Sequence, residues 1–94
     1  MKKKQIHEFE TLNGQLDSFY TEMNTLAKKN PNEALNKFKL GLINSVLKKA
    51  NAFLGKGRCP FPDFEQFDES AMPTISDFLV IVSQYLSAFE KLRT

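Results

Sequence analysis

The stretch "NKFKLGLINSVLKKANAFLG", Asn36 to Gly55, decides the fold. Placed at 100° per residue, Leu35, Phe38, Leu40, Leu42, Ile43, Val46, Leu47, Ala50, Phe53 and Leu54 cover an arc of about 200°. A helix with so wide an apolar face needs two neighbours to hide it. This segment is therefore the expected central element of a helical bundle, with Lys39 standing between its two apolar edges.

Upstream, Phe9, Leu12, Leu16, Phe19, Met23 and Leu26 alternate three and four apart, which predicts a helix from about Lys4 to Lys29. The boundary "KKNPNEAL" then reads as a restart. Asn30 would cap, Pro31 would take the first helical position and Glu33 would close a capping box, so the second helix is expected over 31–54, stopped by Gly55. Downstream, "TISD" at Thr74–Asp77 gives a second capping pattern. Ile75, Phe78, Val82, Tyr85, Phe89 and Leu92 follow it at helical spacing, predicting a helix over 75–92. The sum is an all-α, antiparallel three-helix bundle filling residues 1–94 as one domain.

Between these helices runs an aromatic-rich connection, 55–73, too long for an ordinary helix link. Phe61, Phe64 and Phe67 recur every third residue, as in a short extra helical turn begun at Pro62 with its rings folded over the open end of the bundle. The sharper alternative makes these rings a partner-binding surface, joined by Val80 and Ile81 beside the seam of the last helix.

Two antiparallel hairpins would set Lys39 level with Glu22 on the first helix and Glu90 on the third. The expectation is a structural buried charge, with the lysine stem among apolar neighbours and its ammonium on Glu22 or Glu90. A contact with a second subunit is the competing reading of the same wide arc.

A chain of 94 residues with 41% hydrophobic content and nine phenylalanines can bury a thin core. A lone Cys59 cannot form an internal disulfide, which favours a reducing compartment, taken here as the cytoplasm. The basic opening "MKKKQIHEFE" lacks the apolar run of a secretion signal, and the longest apolar run, Phe78–Val82, is too short to span a bilayer; no membrane association is expected. Net charge is only +2, but it is unevenly spread: residues 1–58 hold eleven basic and five acidic side chains, and residues 59–94 hold two and six.

No catalytic constellation is legible. The single histidine, His7, falls on the polar face of the first helix, and Cys59 has Lys56 and Arg58 nearby but no base. Asp63, Glu65, Asp68 and Glu69 lack the order of a calcium loop, and zinc would want more Cys and His, so neither metal nor cofactor is expected. "GKGR" offers Lys56 and Arg58 as an anion contact, although it follows a helix C-terminus, where the dipole disfavours anions. The expected function is that of a small non-enzymatic protein-binding accessory or regulatory protein of the inhibitor, immunity or adaptor type, as a monomer or homodimer. The alternative is a nucleic-acid-associated regulator using the lysine-rich first half.

Overall fold

The computed structural model describes residues 2–93. Three helices make up the fold: α1, Lys3–Ala27, α2, Lys37–Leu54, and α3, Ile75–Arg93. The seams read from the sequence are the buried faces. Phe9, Leu12, Leu16 and Met23 of α1 meet Phe78, Val82, Tyr85 and Phe89 of α3 in one continuous core with Leu40, Ile43, Leu47 and Ala50 of α2.

Helix α1 is antiparallel to both others. Its N-terminal half carries Phe9, whose ring lies 5.3 Å from Phe89 near the end of α3 and 6.2 Å from Phe53 near the end of α2. Phe53 and Phe89 themselves stand 5.9 Å apart, so one ring from each helix closes this end. Arg93 adds a clasp, its guanidinium 5.2 Å from the Phe9 ring and 3.4 Å from the Glu10 carboxylate.

The second helix starts later than the capping pattern at Asn30 and Pro31 predicts. It begins at Lys37, with Asn36 as the cap: the Asn36 side chain accepts from the Lys39 N–H at 2.8 Å. The preceding residues are used elsewhere. Leu35 N–H donates to Pro73 O, Ile75 N–H to Glu33 O and Ser76 N–H to Pro31 O, all within 3.0 Å, around an isolated antiparallel bridge between Ala34 and Thr74. Two of the orphan donors at the start of α3 are thereby satisfied, and the "TISD" box supplies another, Asp77 N–H on Thr74 Oγ1. Tertiary pairing outweighs the local helix signal.

This bridge places the starts of α2 and α3 side by side, so these two helices run in the same direction. Level counting on an antiparallel second hairpin therefore fails. It also follows that the 55–73 connection must travel back along the whole of α2, an 18-residue helix about 27 Å long. It turns off at Gly55, whose φ of 76° suits glycine, and it runs wedged between α2 and α3. Direct contact between α2 and α3 is accordingly slight, whereas α1 packs extensively on α3 and also on α2. The element shared by both neighbours is α1, which corrects the central place expected for α2.

Candidate functional site

The connection is a structural strut before it is anything else. Asn44 and Asn51, seven residues apart on one edge of α2, clip it in place. Asn44 donates through Nδ2 to Phe67 O at 3.0 Å and accepts Phe67 N–H at Oδ1 at 2.8 Å, while Asn51 Nδ2 donates to Glu65 O at 2.9 Å. Both backbone groups of Phe67 are paired, so its ring can be driven inward without leaving orphaned polar atoms.

The aromatic triplet forms a ladder along this strut. Phe61 meets Phe64 edge-on at 6.3 Å, Phe64 meets Phe67 at 5.3 Å, and the ladder continues onto α3 through Tyr85 and Phe78. Pro62 opens a single turn, closed by Phe64 N–H on Phe61 O at 3.4 Å, that does not continue into a helix; the short helix of the connection is a 3-10 turn at Glu69–Ala71, opened by Asp68 accepting from Ser70 N–H. Phe67 is only 6% exposed and offers a partner almost no surface, a correction to its reading as a contact residue. Phe61 and Phe64 are half-buried, as is Ile81, which packs against the core, while Val80 stands 61% exposed.

A cleft of about 620 Å³ opens between this strut and α2, lined by Lys48, Asn51, Lys56, Cys59, Phe61 and Phe64. Its size is in the range of a small-molecule site. Its polar floor, however, is already committed within the fold. Asn51 Oδ1 accepts from Tyr85 Oη at 2.7 Å and from the Cys59 thiol at 3.3 Å, and its amide nitrogen is taken by Glu65. Burial pushes the Tyr85 hydroxyl above the ordinary tyrosine range. Cys59 thus faces a carbonyl rather than a base, and Arg58 opens onto other depressions of the surface than Lys56 does.

The buried charge expected at Lys39 is not there. Lys39 is half-buried in the first turn of α2 with no ion pair among the described residues; Glu22 and Glu90 are exposed, and Glu90 pairs with Arg93 at 3.5 Å. The parallel course of α2 and α3 carries Glu90 to the far end of the bundle. Lys39 instead lies in a shallow groove where α1 supplies Phe19, Glu22 and Met23, and α2 supplies Phe38, Lys39, Leu42 and Ile43.

This groove is the surface that sequence reasoning missed. Phe38 and Leu42 belong to the wide arc of α2 and so read as core, yet they are 74% and 47% exposed. The arc is wider than the available neighbours because α2 stands against α1 on one edge and the strut on the other, leaving the outermost apolar row uncovered. At about 190 Å³ the groove is smaller than ordinary small-molecule pockets and suits side chains of a macromolecule.

No protein family, curated protein or solved structure matches the chain. Among the described residues, no helix is long and apolar enough to cross a membrane, and no group of three or more His, Cys, Asp or Glu is placed to hold a metal ion.

Proposed function

We propose that this protein acts by binding another protein, as a small non-enzymatic accessory or regulatory factor. The observation that carries the reading is the pair Phe38 and Leu42, one helical turn apart, exposed on the rim of an apolar groove. Large apolar side chains held together in water favour a partner that covers them. Val80 and Phe61 provide further apolar surface on other faces.

The test compares the wild-type chain with Phe38→Asp, a change at a position too exposed to disturb the core. Proteins cross-linked to each in host extract are identified, purified and titrated back. A protein that binds the wild type at micromolar concentration or tighter, and binds Phe38→Asp at least about tenfold more weakly, supports the reading. Equal retention of every protein by both chains would remove its basis.

A second reading draws on the cations. From Ala34 to Pro62 the chain has no Asp or Glu and six basic side chains, which would suit a phosphate backbone. That reading requires binding to random duplex or single strands at low salt that fades steeply as salt is raised.

A further inference from the structure

The six cations of this acid-free segment, Lys37, Lys39, Lys48, Lys49, Lys56 and Arg58, make no ion pair among the described residues. The neighbouring acids of the strut, Asp63, Glu65, Asp68 and Glu69, are exposed and do not reach them. Four of the lysines lie on α2 around the uncovered apolar row. Phe38 and Leu42 are its apolar members, and the exposed Ser45 and Lys49 continue the same row at spacings of three and four; Lys37 and Lys48 flank it on one side and Lys39, at the groove, on the other.

On the protein-binding reading above, we infer that the α1/α2 groove and this row receive an amphipathic helix of a foreign protein, with acidic residues flanking its apolar stripe. The groove lies between two helices, and the row on its rim repeats at heptad spacing, the surface that a helix with apolar residues at i, i+3 or i+4 and i+7 fits. No strand edge exists among the described residues for an extended peptide to join. The partner's carboxylates meet Lys37, Lys39 and Lys49, and its apolar side chains cover Phe38 and Leu42, while Lys48 lines the cleft on the strut side of α2. Glu22 on the α1 wall is the acid this partner must avoid, which orients its acidic flank toward α2.

A second copy of this chain fits poorly. A two-fold contact through the face would set the lysines of one copy against those of the other. Nor does another face of the chain supply the complement: the remaining exposed large apolar residues, Ile6, Met72 and Val80, are scattered singly over the described residues. A flat bilayer could touch Phe38 but could not fill a recess between two helices.

The test pans a displayed library of surface-randomised helical peptides on the full chain at physiological salt, then measures selected peptides by fluorescence anisotropy. Enrichment of apolar residues at helical spacing with flanking Asp and Glu is expected. Binding should fall by about tenfold or more in Phe38→Asp, fall severalfold in Lys49→Glu, and weaken with added salt. Circular dichroism confirms that both variants fold, and Leu42→Ser serves as a second variant of the apolar row. Enriched peptides without acidic residues, or acidic peptides indifferent to Phe38→Asp and Leu42→Ser, overturn the inference. So does a dimer of the free chain dissolved by Phe38→Asp, or binding to phosphatidylserine vesicles abolished by it. Selected peptides displaced by Val80→Asp or Phe61→Asp alone would overturn this assignment while leaving the protein-binding reading intact; the absence of any protein or peptide ligand would sink both.

Discussion

Asn44 shows how one polar side chain can settle the course of a long segment. It is 7% exposed on a helix edge shared with Leu40, Leu47 and Asn51, and both of its amide groups are spent on the backbone of Phe67. Replacement by alanine leaves a buried N–H and C=O without partners, so Asn44→Ala should cost about 2–4 kcal/mol, read from urea unfolding. An unchanged midpoint would mean that water replaces both bonds. Tyr85 makes a different prediction. Because its folded pKa is raised, the unfolded chain ionises first as pH climbs; the stability this group lends is complete below about pH 10 and is lost as pH rises toward the folded value. Thermal unfolding between pH 9 and 11 should show this loss in the wild type and a smaller one in Tyr85→Phe.

Among the helices, α2 carries a placement that stability alone does not explain. Its first turn holds Lys37 and Lys39 and no acid, although the positive end of the dipole favours carboxylates. Lys37→Glu should therefore stabilise the protein by about 0.5–1.5 kcal/mol in urea unfolding. The same change should weaken an acidic helix bound to the groove. Opposite signs in the two measurements would separate a docking role for Lys37 from a structural one. Helix α3 has no such conflict: Asp77 opens it in a capping box, and Lys91 and Arg93 close it at the negative end of its dipole.

The molecule as a whole is three helices and a strut, not three helices and a loop. Phe67 lies in a stretch without regular secondary structure, yet its N–H is buried on Asn44 and its ring stacks on Phe78 at 6.3 Å. Its amide should exchange with solvent only through global unfolding, with protection close to that of the core amides of α3. Rapid exchange at Phe67 would show that the strut lifts off by itself. The seams of α1 and α3, the "TISD" cap and the stop at Gly55 were all legible in the sequence, because each depends on spacing or on a neighbour within four residues; the rings of the connection, expected over the open end of the bundle, instead run along α2 and meet Tyr85 and Phe78 of α3. The start of α2 was not. Asn30 with Pro31 and Asn36 are two acceptable caps, and only the hydrogen bonds from residues 31–35 to residues 73–76 select the later one. Two asparagines seven apart on an apolar edge were the one signal that could have announced the strut. Periodicity thus determined that the chain forms three helices and which faces of α1 and α3 turn inward. The direction of α3 beside α2, the solvent exposure of Phe38 and Leu42, and the unpaired state of Lys39 were decided in three dimensions, since a helical wheel records which face is apolar but not how many neighbours arrive to cover it.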